Sequence, residues 1–263
     1  MWTHKHTNIE LFSLSQSLQQ GCTALLLFPM LTSDSGAIRL HMKGLVFRRF
    51  RPDLNMRDAH EMWMMLLITV VTNITMFPAV WCLHKNGRAF DTCFGLLTAV
   101  TSCLYHVCDS IDSPLWLDEG QWHRLDNIAT ITSIVCWIIY LMDIQKRIVE
   151  EYTQYILFTT VLIFQQKNPW DPINTFAPIL GSLLILVFRY MLFHPIPSYH
   201  KRELCLGFLF LSIGVCFYIR GLDDDNDSYR FYHGCWHGLS GIAAYFNVRI
   251  LANRQSVLPL KRK

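Results

Sequence analysis

The chain has 263 residues, 52% of them hydrophobic and only 16% charged, where soluble domains carry about 25% charge. Several apolar runs approach the length that crosses a bilayer, so the chain reads as an all-α, polytopic membrane protein built as a seven-transmembrane-helix bundle. A net charge of +3 without basic patches interleaved with aromatics excludes a nucleic-acid surface, and nine cysteines without a CxxC pair exclude a disulfide framework.

Residues 1–60 form an N-terminal extension of unknown role. Its apolar stretch at 22–31 is too short to span, and the basic run Lys43, Arg48, Arg49, Arg51 and Arg57 suits a surface near headgroups. The seven-helix domain is expected over 61–252, with a short basic cytoplasmic tail at 253–263. The first span covers about 62–83, interrupted by Asn73 and Pro78, and is followed by the basic loop His84 to Arg88. The second covers about 90–106 and leads into an acidic loop with Asp109, Asp112, Asp118 and Glu119. The third covers about 125–142, the fourth a short 152–164, and Asn168-Pro169-Trp170-Asp171-Pro172 turns into the fifth at about 176–193. The sixth covers about 204–219, and the acidic run Asp223 to Asp227 precedes the seventh at about 231–251.

Lysine and arginine concentrate in alternate connections and in the tail. The positive-inside rule therefore places the C-terminus in the cytoplasm and the segment before the first span outside, or in a lumen. Asn226-Asp227-Ser228 is an acceptor sequon on that outer side.

Chemistry concentrates where the polar residues punctuate these spans. His233 and His237 stand four apart at the start of the seventh span, on one helix face. Ser102 and His106 have the same spacing at the end of the second, and Asp126 opens the third. With seven spans all five residues fall at one membrane face, whichever face that is. Three neutral imidazoles hold zinc and leave a fourth position for water, whose pKa the metal lowers to about 7. Asp126 is placed to accept the water's proton, and Ser102 to hydrogen-bond the water or a developing oxyanion. Lipid ester and amide groups lie at that depth, so the pattern reads as a lipid hydrolase. Each residue alone has a plainer explanation. A terminal histidine anchors at the interface, Asp126 can cap its helix, and Ser102 can bond back into its own helix. His123 and Arg124 read as interface anchors, and Asp223 to Asp227 as a solvated loop without calcium-loop spacing.

Ser102-Cys-Leu-Tyr-His106-Val-Cys-Asp109, the region of Asp126 and His233-Gly-Cys-Trp-His237 resemble the CREST superfamily of seven-helix membrane hydrolases. That superfamily includes alkaline ceramidases and the progestin and adiponectin receptors. The resemblance covers about 62–250 and is nearer to the transmembrane-protein-8 and myomaker branch, whose second helix typically ends Ser-x-x-x-Tyr-His-x-Cys-Asp. It implies a Zn2+ site with His106, His233 and His237 as ligands and Ser102 and Asp126 as the accompanying polar pair. It further implies a membrane lipid substrate, first an acyl ester in the outer leaflet cleaved in phospholipase A2 fashion, as on glycosylphosphatidylinositol-type lipids. Ceramidase-like amide hydrolysis is the alternative chemistry, and a membrane-fusion or receptor-like protein the non-catalytic one. The tail carries no cysteine for lipidation, which counts against the fusion reading.

Overall fold

A backbone in lipid must satisfy its own N–H and C=O groups, and the apolar runs do so by closing into helices. A computed structural model describes residues 59–192, 197–223 and 226–251. The tail at 253–263 and all but the last two residues of the 1–60 extension lie outside the described residues. The helices are α1 (Ala59–Thr72), α2 (Phe77–Lys85), α3 (Ala89–Ile111), α4 (Glu119–Leu141), α5 (Arg147–Lys167), α6 (Pro172–Leu192), α7 (Lys201–Arg220) and α8 (Phe231–Asn247). Among the described residues there is no strand, only the isolated bridges Leu115–Leu117 and Tyr199–Leu251. Five stretches are long and apolar enough to cross a membrane: Ala59–Lys85, Ala89–Ile111, Glu119–Leu141, Pro172–Leu192 and Lys201–Arg220. This is the pattern of a multi-pass membrane protein.

The first span is α1 and α2 joined by a tighter 3-10 turn, Asn73–Met76. Pro78 explains the turn. It has no N–H to offer the Ile74 carbonyl four residues back, and the Phe77 N–H takes that carbonyl instead. The hydroxyls of Thr72 and Thr75 bond Ile68 and Thr72 carbonyls in the same stretch.

Small residues set how closely the helices approach, as expected where lipid supplies no hydrophobic drive between them. A Cβ on Gly234 would sit 2.3 Å from Ile68 Cγ2, and one on Gly241 would sit 2.2 Å from Thr75 Oγ1. These two glycines, seven apart, lay α8 against α1 and its 3-10 turn. Gly207 and Gly214 of α7 meet Asn247 and Trp236 of α8 in the same way. Ile131, Val135 and Ile139 of α4 bury against Leu157 and Val161 of α5, whereas Leu184, Phe188, Leu209 and Ile213 of α6 and α7 stay exposed on the outside.

Several helix ends depart from expectation. The helix of the second expected span, α3, continues past His106 to Ile111, so Asp109 belongs to a helix rather than a loop, and it is 3% exposed. That of the third, α4, begins at Glu119 because Asp118 and Gln121 form a capping box, with reciprocal bonds of 2.8 and 2.9 Å. That of the fourth, α5, runs from Arg147 to Lys167, longer at both ends than 152–164. That of the seventh, α8, stops at Asn247 rather than 251, and the Ile250 carbonyl accepts the His200 N–H at 2.7 Å instead. Arg88, expected in a tight basic loop, turns inward with its side chain only 12% exposed. It pairs with Asp91 at 3.1 Å and Glu150 at 3.0 Å and lies over the Tyr140 ring. Gly87, at φ 68°, supplies the left-handed turn that brings it there.

Candidate metal centre

The start of α8 is prepared by its own flank. Asp227 is 4% exposed, and its two carboxylate oxygens accept the Tyr232 N–H at 2.7 Å and the His233 N–H at 3.1 Å. This satisfies two of the N–H groups that a helix start leaves without partners. The run expected to be solvated is so only in part: Asp223 is exposed and accepts from Asn226 at 2.7 Å, while Asp227 is a buried cap.

From that first turn, His233 and His237 project on one face and meet His106 of α3. Ligand nitrogens of the three rings all lie within 4.8 Å of one another, and the ring centroids are 4.8 to 4.9 Å apart. His106 and His237 are buried at 2% and 5% exposure, and their Nε2 atoms stand 2.9 Å apart. Two lone pairs cannot face each other at that distance in a dry site; a proton or a cation must lie between them. Three imidazole nitrogens that all lie within 4.8 Å of one another are a donor set suited to a zinc ion, whose nitrogen ligands stand about 3.3 Å apart. His106, His233 and His237 would hold it.

The other two expected residues occupy different surroundings. Ser102 lies one turn deeper on α3 than His106, 1% exposed, and its Oγ has no hydrogen-bond partner. That hydroxyl is available to donate to a ligand. Asp126 lies two turns inside α4, not in its first turn, so it does not cap the helix. It accepts from Thr130 at 3.4 Å and faces the Thr101 hydroxyl, and bonds none of the imidazoles directly.

At 1.5 Å per residue, His106 lies about 8 Å inside the end of α3, Asp126 about 10 Å inside α4 and His237 about 9 Å inside α8. The three depths agree. His123 is more than an interface anchor: its ring stacks on Trp170 at 3.6 Å and meets Tyr105 edge-on at 5.1 Å, and Tyr105 in turn meets His106.

One interaction was absent from the expectations. Asp109 of α3 and Arg230 before α8 form an ion pair at 3.5 Å, with side chains 1% and 12% exposed. The signal was present in the spacing, since Asp109 follows His106 by three residues and Arg230 precedes His233 by three.

No curated protein matches the chain. The model of one family, described as a protein of unknown function (DUF3522), matches residues 61–238. That match runs from α1 to the residue after His237, and so takes in all three histidines and both accompanying polar residues. The chain therefore belongs to the DUF3522 family.

Proposed function

We propose that this protein is a zinc-dependent hydrolase of membrane lipids, cleaving an acyl ester within the outer half of the bilayer. The observation that carries the reading is the convergence of three imidazoles from two helices, with two Nε2 atoms 2.9 Å apart in a buried site. The resemblance to CREST hydrolases supports it, because the same five residues answer to that pattern. In this reading α5 and α8 complete seven spans with the five apolar stretches. The site then faces outward or to a lumen, and the C-terminus lies in the cytoplasm.

When bound, zinc would supply Lewis acidity, making water a nucleophile near neutral pH and polarising an ester carbonyl. The chain's own residues do the rest. Asp126 accepts the proton of the attacking water as the new carbon–oxygen bond forms, and returns it to the leaving alkoxide as the ester bond breaks. The free Ser102 hydroxyl donates to the oxygen on which charge builds. Products are a fatty acid and the deacylated lipid. A site about 8–10 Å inside the helix ends meets the carbonyl layer of the lipid rather than the headgroup or the chain ends.

Plasma mass spectrometry on the purified protein tests the metal. About one zinc per chain, lost in His233→Ala/His237→Ala, is the result expected of a three-ligand site. Folded wild-type protein without metal would overturn the hydrolase and leave a fusion or receptor-like role. With zinc present, phospholipids and ceramides are screened together, and Asp126→Asn should lower kcat for whichever hydrolysis appears by about 10²–10⁴. Amide cleavage without ester cleavage would replace the acyl-ester substrate with a ceramide-like one.

A further inference from the structure

The three histidines come from two helices that do not pack closely on each other. α3 and α8 each pack against α1. The imidazoles meet from the two helices at the depth of the site, and one turn further out Asp109 and Arg230 meet.

The backbone is bent to make that meeting. Tyr229 and Arg230 both adopt the left-handed conformation, with φ of 57° and 59°, which is rare for residues with a Cβ and is kept only where surrounding contacts impose it. The contacts are visible. Asp227 holds the N–H groups of Tyr232 and His233 through its side chain, and its carbonyl accepts the Arg230 N–H at 3.0 Å. Gly221 lets this corner close, since a Cβ there would come within 3.0 Å of the His233 nitrogen. The left-handed pair then turns the Arg230 guanidinium to α3 and the Asp109 carboxylate. With side chains only 1% and 12% exposed, the pair is shielded from water, unlike a surface salt bridge of little consequence.

We infer that the Asp109–Arg230 ion pair is the clamp that sets the approach of α8 to α3, and through it the affinity of the three-histidine site for its metal. Both are positioning residues, which act by holding His106 against His233 and His237. The inference rests on the zinc-site reading above, but its mechanical half does not need the metal.

The test uses the full chain in lipid nanodiscs and four variants: Asp109→Asn, Arg230→Gln, the uncharged pair Asp109→Asn/Arg230→Gln, and the exchanged pair Asp109→Arg/Arg230→Asp. Two readouts are taken. Zinc affinity is measured by competition with a chromophoric chelator, alongside the visible spectrum of the cobalt-loaded protein. Hydrogen exchange over 227–240 is measured after metal is stripped by EDTA. The single variants should bind zinc about 10–100-fold more weakly, as loss of groups that orient metal ligands generally does, with an altered cobalt spectrum. They should also exchange faster over 227–240 without metal. The exchanged pair should recover most of both, which a merely unfolded variant would not. The uncharged pair carries no charge at either position, keeps both side chains' shapes, and should still bind zinc weakly. Wild-type affinity and exchange in the single variants, or an exchanged pair no better than the singles, would overturn the clamp. A wild-type protein that binds no zinc, yet whose exchange over 227–240 responds to the variants as stated, would sink the metal reading and the clamp's effect on affinity while leaving the mechanical contact standing.

Discussion

Ser102 and Asp126 stand on different helices and make different demands on the site, so their substitutions should separate. Asp126→Asn keeps the shape and the bond from Thr130 but cannot accept a proton, and should lower kcat by about 10²–10⁴ with zinc content unchanged. Ser102→Ala removes a buried hydroxyl that has no partner within the protein, so the resting fold loses no hydrogen bond. It should leave thermal stability at or slightly above wild type while lowering kcat by about 10²–10³, the usual loss when one oxyanion donor is removed. Equal kcat in Ser102→Ala and wild type would confine that residue to packing. All five polar residues were visible in the sequence as interruptions of apolar runs. That Ser102 makes no bond back into its helix was not, because a serine in a membrane helix ordinarily bonds its own backbone, as Thr69 and Thr98 do here.

The element that carries two of the three histidines is seated by its glycines. Gly241→Ala would drive a methyl group to within 2.7 Å of the Thr75 carbonyl carbon and 2.9 Å of the Met76 nitrogen. Backbone cannot yield as a side chain can, so a loss of about 1–3 kcal/mol is expected, read as a lowered Tm and weaker zinc binding. Gly238→Ala is the matched control: its Cβ would meet nothing within 4 Å, and alanine should be neutral or stabilise α8 by up to about 1 kcal/mol. A Tm that falls equally in both would show that helix propensity, not the close approach, governs the pair. Element existence was legible from hydropathy, yet ends such as Glu119 and Ile111 were not. A capping box and a polar last turn extend a helix beyond its apolar part, so a count of apolar residues stops short at both.

For the whole molecule the decisive question is which ends of the helices share a side. In the proposed seven-span arrangement Ser113, after α3, lies with the metal centre outside or in a lumen, and Lys85, before α3, lies in the cytoplasm. A membrane-impermeant maleimide applied to sealed membranes of known sidedness should label Ser113→Cys from the outer face, and Lys85→Cys only after permeabilisation. Labelling of both from one side would remove the odd span count. The far end of the bundle has its own fastening, in which Arg88 joins Asp91 and Glu150 while Gln154 donates to Asp91 at 3.2 Å. Arg88→Ala removes the cation beside the buried Asp91 carboxylate, and should cost about 3–5 kcal/mol as breaking a buried pair does, with little direct effect on zinc content.

Sequence alone determined the membrane class and the helical class, because apolar run lengths need no reference to packing, and under the proposed seven spans alternation also carries the polar residues to one side. It also supplied the residue types, three imidazoles with a carboxylate and a hydroxyl, from which a metal chemistry could be argued. Only the tertiary structure decided which of these touch. It brought His106 within 2.9 Å of His237 while leaving Asp126 with Thr130 and Thr101. It also turned Arg230 onto Asp109, buried Asp227 and drew Arg88 inward onto Glu150. The reason is one of scale: periodicity places a side chain on a face, but distances of a few ångströms depend on how far one backbone can approach another. Here Gly234, Gly241 and a left-handed turn at Tyr229 and Arg230 set that approach.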